Sequence, residues 1–135
     1  MGTIEGKILR AANSRKTSKS GQEIMYEYRA FVRKVYDGDT ITCDIDLGFE
    51  ILFKNQKLRL YGINTPEVRG PTRPEGLKVR DIVRSRISNK WVIIKTRKDK
   101  KGKYGRWIAE IYEPDIEESI NEWLLREGHA VEFMK

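Results

Sequence analysis

Only one cysteine, Cys43, occurs in the 135 residues, so no disulfide can form within the chain. It falls in an alternating, strand-like stretch and reads as a small buried hydrophobe. Histidine is equally scarce. His129 stands alone near the C-terminus, which argues against a Cys–His nucleophile pair and against a His/Cys zinc site. No apolar run approaches the roughly 20 residues that a helical membrane span needs. The N-terminal Met-Gly-Thr-Ile-Glu-Gly-Lys lacks the apolar centre of a secretory signal. The expectation is a cytoplasmic protein with no membrane partner, or a secreted one whose leader has been removed.

What the chain does have is charge. Lys and Arg number 27 against 20 Asp and Glu, a net charge of +7. That excess favours a polyanionic partner, DNA or RNA being the common one. The length and an apolar content of 39% suit one modest core. Residues 1–24 carry five basic and two acidic side chains around a polar, turn-like middle, and read as an N-terminal extension. The domain proper is expected over 25–135, as a monomer.

From Tyr26 to Val32 apolar and polar residues alternate, which reads as a strand. Asp37-Gly38-Asp39 is a turn, and Thr40 to Leu47 returns as a second strand. Glu50 to Ile63 gives a third, interrupted at Lys54-Asn55-Gln56-Lys57 by either a hairpin tip or a bulge. Pro66 to Pro74 holds three prolines and reads as a loop. Val79, Ile82, Val83 and Ile87 recur at helical spacing within 75–88. Trp91 to Thr96 is a strand, and Lys98 to Lys103 a basic hairpin tip. Tyr104 to Tyr112 returns with Trp107, Ala109 and Ile111 on one face. Ser119-Ile120-Asn121-Glu122 fits a capping box, and Gly128 suits the end of the helix it opens. Three strands, a helix, two strands and a helix predict an α+β, mostly β, fold: a five-stranded closed barrel of the OB type with at least two helices packed on it.

Within that frame three polar stretches stand out. Asp37-Gly38-Asp39-Thr40 is a carboxylate turn. Arg59-Leu60-Tyr61-Gly62-Ile63-Asn64-Thr65-Pro66-Glu67 opens on a cation and closes on oxygen donors and a carboxylate. Tyr104-Gly105-Arg106 adds a second cation. Cleaving a phosphodiester requires neutralised phosphoryl oxygens, an activated water and fixed geometry. Arginine clamps oxygens bidentately, a carboxylate can take the proton of a water, and a hard divalent ion takes oxygen ligands. The donors here are oxygens, which points to Ca²⁺ or Mg²⁺ rather than zinc. Strict alternation places Arg59 and Asn64 on opposite faces of a strand, so convergence requires a bend between Gly62 and Pro66.

On these three stretches, extended to Val35 and Ile41 and joined by Asp99 to Ala109, Asn121-Glu122-Trp123-Leu124, Gly128 and Ala130, the chain resembles the staphylococcal nuclease (thermonuclease) family. The resemblance covers residues 26–133. It implies calcium-dependent hydrolysis of DNA and RNA to 3′-phosphate ends, with little sequence preference. By position, Asp39, residue 64 and the Thr65 carbonyl would hold Ca²⁺, with Asp37 behind them. Glu67 would be the general base. Arg59 and Arg106 would stabilise charge on the phosphoryl oxygens, and Lys103 and Tyr104 would contact a terminal phosphate. The chain departs from the family in three places. Position 64 is Asn rather than Asp, the loop from Val68 to Pro74 is short, and the match stops before the family's third helix and base-stacking tyrosines, leaving Phe133 as the nearest aromatic. The alternative is a nucleic-acid-binding module of the same fold that cuts weakly or not at all.

Overall fold

The computed structural model describes residues 26–97 and 107–133. Strand β1 (Tyr26–Asp37) turns through Gly38 and Asp39 into β2 (Thr40–Gly48), which turns into β3 (Ile51–Leu60). A short strand β4 (Ile63–Asn64) and a 3₁₀ turn (Gly70–Thr72) lead to helix α1 (Arg73–Ile87). Strands β5 (Trp91–Arg97) and β6 (Trp107–Tyr112) follow, then helix α2 (Ile120–Arg126) and a short β7 (Val131–Glu132). The long strands close into a barrel in the order β1-β2-β3-β6-β5, and β4 pairs with β7 beside it. Among the described residues only the β3–β6 pairing is parallel. The OB-like α+β barrel expected from the sequence is therefore the observed architecture.

Alternation explains the core. Ala30, Val32, Ile41, Cys43, Leu58, Ile94, Ala109 and Ile111 are buried along their strands. In β1 the register slips between Val32 and Lys34, so the inward positions move from even to odd numbers and Val35 is buried next. In β3 the interruption is a bulge and not a hairpin tip. Asn55 adopts a left-handed φ of 58°, and the pairing with β2 shifts between Cys43 and Ile45. The Asp44 carboxylate holds it, accepting from the Asn55 amide at 3.0 Å and from Arg33 Nε at 2.6 Å. The Asn55 amide, with Arg33 in support, keeps the Asp44 carboxyl below the usual carboxylate range. Cys43 is sealed in the core, and burial pushes its thiol up to about 12, so it has no nucleophilic character.

Helix α1 starts two residues earlier than the proline-rich loop suggested, because Pro74 fits the first turn, where no amide partner is needed. It buries Gly76, Val79, Val83 and Ile87 against the barrel, while Ile82 stays half-buried. Burying three such aliphatic side chains contributes about 1.5–3 kcal/mol each. Helix α2 opens with the expected capping box, Ser119 Oγ accepting from the Glu122 amide at 3.0 Å and Glu122 Oε1 from the Ser119 amide at 3.2 Å. Trp107 lies on the face of Ala109 and Ile111, as alternation predicts, but that face is uncovered at this end of the strand. It sits at the exposed start of β6, 40% accessible. The β7 strand was not anticipated. Phe133 N donates to Gly62 O at 2.9 Å, so the C-terminal segment covers the bend that follows β3.

Candidate functional site

The β1–β2 turn and the end of β3 are neighbours in the sheet, since Thr40 pairs with Arg59 and Leu60 N donates to Asp39 O at 2.8 Å. The Asp-Gly-Asp turn is thereby fixed next to the end of β3 from which the chain bends. Gly38 has no room for a side chain. A Cβ there would lie 2.7 Å from Val79 of α1 and 2.9 Å from Thr65. The turn is wedged between helix and bend, which brings three segments to one point.

That point is the Arg59 guanidinium. Its Nη2 donates to Asn64 Oδ1 at 2.9 Å, and its Nη1 lies 3.5 Å from Asp39 Oδ2. The bend anticipated between Gly62 and Pro66 is present: β3 ends at Leu60, Gly62 takes a φ of 78°, and β4 restarts at Ile63. Asp39 Oδ2 also accepts from the Thr65 amide at 3.0 Å, and Oδ1 from Thr40 Oγ1 at 3.1 Å. The Asp39 side chain is 9% exposed and that of Arg59 17%. Buried and this close, the pair is screened much less than a surface ion pair. Arg59 Nη1 and Thr65 Oγ1 are buried without a hydrogen-bond partner among the described residues. An unsatisfied buried guanidinium N–H is costly in isolation and is relieved by an acceptor such as a phosphoryl oxygen. The ring of Phe133 covers the other side, with Arg59 Cζ 5.0 Å from its centroid.

Asp37 supports Asp39 from behind. Its Oδ1 accepts from the Asp39 amide at 3.1 Å. Burial pushes the Asp37 carboxyl up to about 7, and the Asp39 carboxylate adds to the shift by hydrogen bonding and by its charge. Two carboxylates this close do not both ionise freely, which is the direction in which Asp37 is moved.

Glu67 is exposed, and no described residue makes a side-chain hydrogen bond or ion pair with it. Its backbone, in contrast, is tightly held. Thr72 Oγ1 donates to Glu67 O at 2.9 Å, and a Cβ on Gly76 would come 2.2 Å from that same oxygen. Asn121 fixes the bend from the other side. Its Nδ2 donates to Tyr61 O at 2.9 Å and Ala109 O at 3.1 Å, and its Oδ1 accepts from Ile111 N at 3.0 Å. Sequence reading missed Gly76 and Asn121 as site supports. A glycine inside an amphipathic helix was the signal for the first, and an asparagine on a helix that is otherwise apolar inward was the signal for the second.

The structure thus gathers Asp37, Asp39, Arg59, Asn64 and Thr65, with Glu67 close by in sequence. Lys103, Tyr104 and Arg106 lie outside the described residues. As a cation site, the donors Asp39, Asn64 and the Thr65 carbonyl are all hard oxygens, which fits Ca²⁺ or Mg²⁺. Asp39 is the one carboxylate among them, and among the described residues no three Asp, Glu, His or Cys side chains form a metal-binding group. The guanidinium of Arg59 touches both side-chain donors, so a cation and Arg59 would share this position by turns.

The family model described as Staphylococcal nuclease homologue matches residues 57–135. The chain belongs to the staphylococcal nuclease family. Among its relatives, the thermonuclease of Staphylococcus hyicus is 35% identical over 102 residues, covering 73% of this chain and 56% of the relative. That of Staphylococcus intermedius is 32% identical over 102 residues, with the same coverage, 73% and 56%. An uncharacterized protein of Methanocaldococcus jannaschii is 30% identical over 126 residues, covering 76% and 58%. The chain spans little more than half the length of these family relatives, and its matched segment includes Arg59, Asn64, Thr65, Glu67 and Arg106. No helix of the described residues is long and apolar enough to cross a membrane.

Proposed function

We propose that this protein is a metal-dependent nuclease that hydrolyses DNA or RNA with little sequence preference and leaves 3′-phosphate ends. The observation that carries the reading is the convergence of Asp39 and Asn64 on Arg59, with the Thr65 amide on Asp39, around an Nη1 that is ion-paired to Asp39 at 3.5 Å but has no hydrogen-bond partner among the described residues.

Asp39, Asn64 and the Thr65 carbonyl would hold Ca²⁺, or less favourably Mg²⁺. Bound there, the ion supplies Lewis acidity toward a phosphoryl oxygen and a template for the substrate. Arg59 donates to the phosphoryl oxygens, and Arg106 is assigned the same task from the β5–β6 connection. Such donors act most strongly as charge builds on those oxygens in the transition state. Glu67 accepts a proton from the attacking water. The water oxygen bonds to phosphorus, the P–O5′ bond breaks, and the leaving oxygen gains a proton from solvent. A 3′-phosphate and a 5′-hydroxyl result. Lys103 and Tyr104 are assigned to a terminal phosphate, and Asp37 keeps the Asp39 turn in shape.

The test is release of short fragments from single-stranded DNA and RNA with Ca²⁺ and again with EDTA, followed by phosphatase treatment of the ends. Fragments that appear only with calcium and lose a 3′-phosphate support the reading. Cleavage that survives EDTA contradicts it. A second reading, a binding module with little cleavage, draws on the Arg59–Asn64 bond, which occupies a would-be metal ligand that is uncharged. Salt-sensitive DNA binding with no cleavage at any calcium concentration would favour it.

A further inference from the structure

Beside the Asp37 turn, the outer face of β1, β2 and β3 carries an open cleft of about 740 Å³. Two lysines form its floor in one row across three strands: Lys34 pairs with Thr42, and Thr42 pairs with Lys57. At the usual inter-strand spacing this sets the two lysine backbones about 10 Å apart. Lys57 lies two residues before Arg59 on β3, on the same face and about 7 Å along the strand. The row therefore continues the line of cations away from the site.

The rest of the lining suits a nucleotide. Tyr36 borders the cleft and is 42% exposed, and Arg69 reaches in from the loop before α1, its guanidinium 5.9 Å from the Tyr36 ring. An exposed aromatic beside three cations is the combination that binds single strands: the ring stacks on a base, and the cations track the backbone. Arg29, Arg33, Arg86 and Arg126 are paired with carboxylates. Lys34, Lys57 and Arg69 have no ion pair among the described residues. Asp37 is the one carboxylate in the lining, and its Oδ1 is engaged by the Asp39 amide at 3.1 Å.

We propose that this cleft is a second substrate subsite, in which Lys34, Lys57 and Arg69 hold backbone phosphates and Tyr36 stacks on a base of a single-stranded polynucleotide whose next phosphate lies at Arg59. The inference rests on the nuclease reading for the substrate's path, but it concerns binding and is testable without cleavage. A duplex is too stiff to place a base flat on Tyr36 while its backbone follows the row, so single strands should bind more tightly.

The experiment uses the full chain carrying Glu67→Gln, in calcium, with a fluorescent single-stranded DNA 12-mer followed by anisotropy from low to high salt. Adding Lys34→Gln and Lys57→Gln should reduce the slope of log Kd against log salt by about 1.4, since each phosphate contact on a single strand contributes about 0.7. A control with Lys78→Gln and Lys90→Gln removes the same charge from α1 and the loop after it, and should change the slope far less. Adding Tyr36→Ala to the Glu67→Gln protein should weaken binding about 5- to 160-fold, the range of one lost base–aromatic stack. Equal slopes for the cleft and control variants, or no binding by the Glu67→Gln protein, would overturn the subsite. Binding as described in a protein that never cuts would leave the subsite standing and refute the nuclease reading alone.

Discussion

Gly76 of α1 faces the carbonyl of Glu67 so closely that a methyl group in place of its hydrogen would stand 2.2 Å from the oxygen. Glycine to alanine inside a helix ordinarily stabilises by about 1 kcal/mol. Here the sign reverses, because overpacking costs about 1–3 kcal/mol and the atom in the way is backbone that cannot rotate aside. Gly76→Ala should lower the unfolding free energy in urea and reduce kcat by displacing Glu67. A more stable variant with unchanged kcat would show that this contact is loose.

Asn121 links β6 to the bend after β3 by three hydrogen bonds while only 4% exposed. Replacement by Asp removes both donors and turns a carboxylate toward two carbonyls. Asn121→Asp should cost about 3 kcal/mol in urea unfolding, from a buried network left unsatisfied. A loss below about 1 kcal/mol would mean that water or a rearranged α2 satisfies those carbonyls.

Asn64 supplies an uncharged oxygen where the family resemblance leads one to expect a carboxylate. Asn64→Asp should tighten calcium binding, measured by titration calorimetry on the apo protein, because ligand charge sets calcium affinity. The new carboxylate would also attract Arg59, which already reaches position 64. Equal or weaker affinity would mean that the arginine holds the site against the ion.

Asp44 gives a pH dependence of stability. Its folded carboxyl is held below the usual range, so its contribution is present above the unfolded value of about 3.9 and is lost as pH falls through the lower folded value. The Tm gap between the wild type and Asp44→Asn should be full above about pH 5 and close progressively below about pH 4. A gap independent of pH would assign the role of Asp44 to shape alone.

The barrel was legible because strand alternation, the Asp-Gly-Asp turn and the α2 capping box are local signals, each carried by fewer than about ten residues. The clustering of Asp37, Asp39, Arg59, Asn64 and Thr65 was legible only as a requirement that the chain bend after Gly62. The bulge at Asn55 remained ambiguous because its cause, the Asp44 carboxylate, is 11 residues away. Asn121 and Gly76 were invisible as supports for a stronger version of the same reason. Asn121 reaches a carbonyl 60 residues earlier in the chain, and the glycine is defined by what its missing side chain would strike. The face of Trp107 was legible but its exposure was not, because alternation fixes which face of a strand a side chain takes and not whether that end of the strand is covered.

The most direct test of the central claim is calcium-dependent hydrolysis of single-stranded DNA by the wild type and by Glu67→Gln, with both proteins shown to share the same Tm. Glu67 is exposed and makes no side-chain contact among the described residues, so the substitution should leave the fold unchanged. The expected result is cleavage by the wild type in calcium, none in EDTA, and a rate lower by about 100-fold or more for Glu67→Gln. Equal rates for the two proteins would contradict the assignment of the general base, and no cleavage by the wild type would contradict the nuclease itself.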